Sequence, residues 1–364
     1  MTVRRRSPLW ARLALAVGMV LVLASGAGLA AGRALISTAT TAVTQTNLLG
    51  TTKKTVAEGG HDLKGPIDLL LMGVDARARW APDDLHADTI IVLHIPARHD
   101  QAYLLSIPRD TEVTVPPFAK SRWPGGKAKA TEAFFHGAQN GGGYAGGAQL
   151  MAQTLKAATG ISFDGAAIID FHGFKGVVEA LGGVRMCVDQ RVTSKHMVLV
   201  GKEPMYRADA RRTGRATRPV IYPVGCRTMA GWQALDYARQ RYGLKNGDYD
   251  RQRHQQQLIK AIVTKAASAG VLTNPRKVNR LIKAAGKAFV LDTGGVPVAD
   301  FVFTLRRIGA EDLVLLRTNN GTFAGNANGR ETITPLSKQM FTAVRQDRVS
   351  QFVINHPGVV AIEK

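Results

Sequence analysis

The chain has 364 residues, 45% of them hydrophobic and 21% charged, which excludes wholesale disorder and leaves room for one large or two ordinary domains. A formal net charge of +21 favours polyanionic partners: nucleic acid, anionic lipid headgroups or phosphate-bearing substrates. Two cysteines are too few for a multi-cysteine zinc site or a small disulfide-stapled scaffold.

Arg4, Arg5, Arg6 and Arg12 precede an uncharged run, Leu13 to Gly32, long enough to cross a bilayer as a helix. Arginines before the run and only Arg33 after it until Lys53 place residues 1–12 in the cytoplasm, make 13–32 a signal anchor in the plasma membrane and send the rest outside. A cleaved signal peptide remains an alternative, because Ala27 to Ala31 offers small residues to a protease. Export of the body argues against nucleic acid. Residues 33–66, rich in threonine and without a sustained apolar period, read as a linker.

From residue 67 short apolar runs alternate with helical patterns. Strands are expected at 67–73, 89–95, 102–107, 165–170, 184–188 and 313–316, and near-continuous apolar runs suggest burial on both faces. Helices are expected at 149–158, 174–181, 229–239, 251–267, 277–288, 298–308 and 335–345, with Asp248 and Asp250 as cap candidates for the fourth. The pattern implies one α/β domain over 67–350, a central mixed sheet flanked by helices in an αβα sandwich, then a short tail at 351–364. In an oxidising compartment Cys187 and Cys226 pair, closing a basic loop from Gln190 to Gly225 that has little apolar content beyond Met197 to Val200; two separate buried thiols are the alternative.

Charged residues gather at strand ends, where ligands sit in open α/β sheets. Asp75 follows the first strand, Asp88 opens the second and Arg109-Asp110 follows the third. Two carboxylates beside an arginine suit Mg2+ held against phosphate oxygens, although aspartates in such places also simply cap turns. Farther on, Arg239 and Arg241 are two apart and face the same way if that stretch is extended, while Arg251 and Gln255 share one helix face. Converging, they would clamp a diphosphate through bidentate bonds; a solvated basic face is the alternative.

These residues resemble the LytR–CpsA–Psr family of cell-wall glycopolymer ligases. The matching runs are Leu71-Met-Gly-Val-Asp75-Ala-Arg77, Asp88-Thr-Ile-Ile-Val-Leu-His94, Leu105-Ser-Ile-Pro-Arg109-Asp110-Thr111, Ile169-Asp170-Phe-His-Gly-Phe174, Ala180-Leu-Gly-Gly-Val184, Ala234-Leu-Asp-Tyr-Ala-Arg239-Gln-Arg241 and Asp248-Tyr-Asp-Arg251 with Gln255-Gln256-Gln257. The resemblance implies that Asp75 and Asp88 hold Mg2+ against the pyrophosphate of a polyprenyl carrier, and that Arg109, Arg239, Arg241, Arg251 and Gln255 bind the pyrophosphate and head group. His86-Ala87 stand where the family has Arg-Ser, a gap that Arg77 or Arg79 would fill. The implied reaction moves a glycopolymer from a polyprenyl diphosphate onto a peptidoglycan hydroxyl in the cell envelope, with Asp75, or else Asp110, as base and Arg109 beside it. A prenyl chain needs an apolar slot, for which Phe134, Phe135 and Phe171 are candidates. The rival readings are a non-catalytic polyanion-binding surface protein, a pyrophosphatase acting on prenyl diphosphates, and an anchored regulator, for which residues 1–12 are too few to form a DNA-binding module.

Overall fold

The computed structural model describes residues 44–50, 64–74, 84–271, 274–286, 289–296 and 308–361. The expected membrane span at 13–32, Asp75, Arg77 and most of the helix expected at 298–308 lie outside the described residues.

The strands run in chain order as β1 (Thr44–Gln45), β2 (Ile67–Val74), β3 (Ala87–Ile95), β4 (Ala102–Ser106), β5 (Glu112–Val115), β6 (Gly126–Lys129), β7 (Gly165–Asp170), β8 (Val184–Val188), β9 (Val192–Val200), β10 (Glu203–Tyr206), β11 (Thr217–Tyr222), β12 (Gly225–Met229), β13 (Phe289–Asp292) and β14 (Leu313–Arg317). Seven of them form the main sheet in the order β1-β13-β7-β2-β3-β4-β14. It is mixed: β7 lies parallel to β2, β3 is antiparallel to both its neighbours, and β14 is parallel to β4. Period-two alternation explains why these strands read as continuous apolar runs. Leu70, Met72 and Val74 of β2 enter one core, whereas Ile67, Leu69 and Leu71 join the cluster on the opposite face.

Helices cover both faces. On the first, α1 (Ala130–Ala138), α2 (Gly143–Thr159) and α8 (Pro335–Arg345) supply Phe134, Leu150, Met151, Leu155 and Phe341 to the larger core. On the second, Ile259 of α6 (Asp248–Ser268) packs beside Ile91, Leu104 and Leu315. A further core joins α3 (Phe171–Ala180), α5 (Gly231–Arg239) and α6 to β8, β12 and, between them in the chain, Val192 and Met197 of β9 and Val220 and Tyr222 of β11. Helix α7 (Pro275–Ala285) falls where a helix was expected, and α9 (Val349–Asn355) spans the expected domain end at 350. Phe352, Val359 and Ala361 are buried, so the residues expected as a tail continue the domain to Ala361.

Residues 190–225 depart from the expected loop. They form a three-stranded antiparallel sheet, β10-β9-β11, with helix α4 (Arg207–Thr213) over it. Its own apolar core is small: Val198, Val200 and Ala210. Buried polar bonds attach it to the domain. Ser194 Oγ and Tyr222 OH both donate to the Asp236 carboxylate on α5, at 3.0 and 2.7 Å, and Gln240 Nε2 donates to the same group at 2.8 Å. The expected Cys187–Cys226 disulfide is present as a cross-strand pair between β8 and β12.

Candidate active site

Asp88 owes its position to an irregularity in pairing. Gly73 pairs with Thr89 and Val74 with Ala87, so Asp88 is an extra, bulged residue on β3. Gly73 is required there, since a Cβ would lie 2.8 Å from Thr89 Cβ. The bulge frees the Asp88 carbonyl, which accepts a 2.8 Å bond from Arg251 Nη2.

Arg109 and Asp110 form the corner of a turn after β4, closed by Thr111 N donating to the Pro108 carbonyl at 3.1 Å. The Arg109 carbonyl accepts from Thr131 N in the first turn of α1, at 2.9 Å. The guanidinium pairs with the Asp88 carboxylate through Nη1 and lies 3.9 Å from Asp248 through Nε. Asp248 opens α6, where a carboxylate suits the helix N-terminus, and pairs with Arg251 Nη2 at 2.8 Å.

Arg109 and Arg251 thus share one acidic cluster at the ends of β3 and β4. Burial works against the charge of Arg109, but Asp88, Asp248 and Asp110 outweigh it and raise its pKa. Arg251, only 4% exposed, has its pKa lowered by burial despite Asp248 and Asp88. The Nε–H groups of Arg109 and Arg251 are buried and have no hydrogen-bond acceptor among the described residues. Two such donors in one cluster are suited to an anion.

The glutamine run divides its work. Gln256 pins α6 to the sheet by donating to the carbonyls of Leu104 and Leu316, and Gln257 donates to the Cys187 carbonyl. Gln255, one turn after Arg251, keeps a buried Oε1 with no partner among the described residues. Arg241 stacks on Tyr242, with its guanidinium carbon 4.6 Å from the ring centroid, and its charge helps lower the pKa of Asp110. In that lowering, burial pushes the opposite way and is outweighed by the Lys129 hydrogen bond and Arg109. A carboxylate held low by Lys129 at 2.9 Å is a weak base, which argues against Asp110 in that role.

Arg239 does not lie on an extended stretch with Arg241, as the spacing suggested. It is the last residue of α5, and the chain becomes extended only at Gln240. Its neighbours are those of a groove between α3, α5 and β10, including Trp232 and Tyr206. His86, standing where the family has arginine, pairs with Asp84 at 3.3 Å and stacks on Phe135 at 4.8 Å. Phe134 is fully buried in the main core, which makes it a packing residue and removes it from the prenyl slot.

Sequence reasoning passed over Glu331. It stands in a Gly- and Asn-rich stretch that reads as loop, yet it is 5% exposed and its backbone pairs beside the Arg109 turn, with Glu112 N donating to its carbonyl at 2.8 Å. Its carboxyl accepts from Tyr249 OH, next to Asp248, and Tyr249 OH accepts from Asn319 Nδ2 at 2.9 Å. Burial, aided by the charges of Asp248 and Asp110, pushes the Glu331 pKa up to about 7 against the Tyr249 bond.

The described residues contain no set of three ligating side chains for a metal. Mg2+ needs only one or two carboxylates when substrate oxygens complete its shell. The half-buried carboxylate of Asp88, beside anion-ready arginines, fits that demand.

The chain matches the LytR_cpsA_psr family over residues 33–329. It belongs to the LytR–CpsA–Psr family. It is 26% identical over 320 residues to the cell wall biosynthesis protein LcpA of Corynebacterium glutamicum, covering 81% of this chain and 58% of LcpA. Against the polyisoprenyl-teichoic acid–peptidoglycan teichoic acid transferase TagU of Enterococcus faecalis it is 28% identical over 215 residues, covering 59% of this chain and 58% of TagU. The chain therefore spans less than two thirds of the length of these curated relatives. The crystal structure of Bacillus subtilis TagV shares the fold, with a TM-score of 0.55 at 20% identity, covering 78% of this chain and 98% of the crystallised TagV chain.

Proposed function

We propose that this chain transfers a glycopolymer from a polyprenyl diphosphate carrier to a hydroxyl of peptidoglycan, outside the plasma membrane and anchored there by residues 13–32. The observation that carries the reading is the pair of buried Nε–H groups of Arg109 and Arg251, without an acceptor among the described residues and set in one cluster with Asp88. The E. faecalis relative named as a teichoic acid transferase supports the same reaction class.

In the reaction, the acceptor oxygen bonds to the sugar-side phosphorus as the bond from that phosphorus to the bridging oxygen breaks. Polyprenyl phosphate leaves, the hydroxyl proton passes to a base, and a phosphodiester joins glycan to wall. Arg109 and Arg251 neutralise charge on the departing phosphate, with Arg241 and Gln255 at the rim of the same cluster. Asp88, with Asp75, would hold Mg2+, which supplies further neutralisation of the diphosphate oxygens when bound. With Asp110 weakened as a base by Lys129 and Arg109, Asp75 is the proposed proton acceptor in so far as its carboxylate is not committed to the metal.

Detergent-purified full-length protein, incubated with magnesium, a lipid-linked oligosaccharide and peptidoglycan fragments, should yield a phosphodiester-joined product by mass spectrometry. Free oligosaccharide monophosphate with polyprenyl phosphate and no joined product would favour a pyrophosphatase instead. Binding without turnover, unaffected by Asp88→Asn, would favour a polyanion-binding protein.

A further inference from the structure

The groove beside Arg239 lies outside the phosphate cluster and measures about 330 Å3. That is the lower end of small-molecule sites. Its walls come from α3, α5 and the sheet that sequence reasoning took for a loop. We infer that this groove is a saccharide subsite; the inference rests on the transferase reading above and deepens it.

The chemistry of the walls selects the occupant. Trp232 offers a half-buried ring, and Tyr206 of β10, in the same lining, is 45% exposed. Met197 and Leu235 are each 8% exposed and give the groove an apolar lining. At its edges stand Lys175 and Arg239, and opposite in charge to them Glu179 and Asp209. The third carboxyl, Asp236, is turned inward to Ser194, Tyr222 and Gln240. A prenyl chain would call for walls free of charge. A bare phosphate would call for one sign of charge. A sugar ring has an apolar C–H face and a girdle of hydroxyls that both donate and accept, and aromatic rings flanked by cations and carboxylates answer both demands.

Position supports the same occupant. Arg239 on the groove and Arg241, whose charge reaches Asp110, are two residues apart, so their Cα atoms are within about 7 Å. One short stretch of chain thus carries a residue of the groove and a residue beside the diphosphate cluster, which suits a sugar that is either the first on the carrier or the one that bears the acceptor hydroxyl.

The test uses two probes on the detergent-purified full-length chain: the phosphate-free disaccharide of peptidoglycan, and a hexose 1-diphosphate bearing a short prenyl chain. Calorimetric titration should show that Trp232→Ala and Tyr206→Ala each weaken at least one probe tenfold or more. Loss confined to the disaccharide assigns the groove to the acceptor, and loss confined to the diphosphate assigns it to the carrier. Inorganic pyrophosphate should bind both variants as it binds the parent, which also reports that they fold. Unchanged affinity of both probes for both variants overturns the inference, as does failure of both sugars to bind at all. If the disaccharide binds through Trp232 but the parent forms no phosphodiester-joined product, the transferase reading fails and the saccharide groove stands.

Discussion

Around Arg109, charges hold the site together. Asp88 on a bulge, Asp248 at a helix start and Arg251, almost wholly buried, fix three elements against one another and leave two guanidinium N–H groups for a ligand. In the 190–225 region the charges lie mostly outside and the local apolar core is three residues; it is attached by a disulfide, by Ser194, Tyr222 and Gln240 converging on Asp236, and by Val192, Met197, Val220 and Tyr222 packed into the core of α3, α5 and α6. The first region cannot lose a residue without leaving a buried charge unpaired. The second is held by a covalent closure, a few polar bonds and one apolar seam, an arrangement that lets its outer surface vary at little cost to the core.

The contrast is sharpest when each fastening is removed in turn. Replacing both cysteines by serine frees a closure across 39 positions and should cost about 3–4 kcal/mol in denaturant unfolding, on the chain-entropy estimate. Saccharide binding in the groove should fall with it, while pyrophosphate binding at the arginine cluster persists. Equal loss at both sites would mean that the two regions are one cooperative unit.

Glu331 gives the next effect and a pH signature. With a folded pKa of about 7 against an ordinary value of 4.5, the native state holds a proton that the unfolded chain releases between those values. Stability from this group is therefore full below about pH 4.5 and is lost as pH rises through 7, a difference of about 3 kcal/mol as an upper bound. Glu331→Gln, which keeps an acceptor for Tyr249, should flatten that slope and be more stable than the parent at pH 8. Parallel stability curves for parent and variant from pH 5 to 8 would refute the assignment.

A smaller effect separates the two arginines that sequence spacing treats alike. Arg251→Ala should weaken inorganic pyrophosphate at least tenfold, about 1.5–3 kcal/mol for a lost charge-assisted bond. Arg239→Ala, on the groove, should show the lesser loss in the same titration. Equal losses would restore the extended-stretch geometry that the end of α5 replaces.

The ease of reading followed the physics of each element. Strands β2, β3, β4, β7 and β14 lie in the main sheet and show as apolar runs, and the helix expected at 335–345 is found there, with Thr334 capping it. The β5–β6 hairpin is short and polar, α1 is only nine residues long, and β10 and β11 are mostly exposed, so none carries a long apolar run that stands out from loop. At the site, Arg109, Asp88, Arg251 and Gln255 were legible because charge at strand ends and four-residue helix spacing are local signals. Glu331 and Lys129 were not, because their importance comes from contacts with residues distant in the chain: Tyr249 in one case and Asp110 in the other.

The central claim is that planar guanidiniums grip a diphosphate here. Steady-state transfer by Arg241→Lys addresses it most directly, since this half-exposed residue can be changed without leaving a buried charge unpaired. An ammonium cannot hold two oxygens in a planar fork, so the rate should fall roughly tenfold or more. A rate equal to that of the parent would contradict the clamp and leave only a solvated basic face.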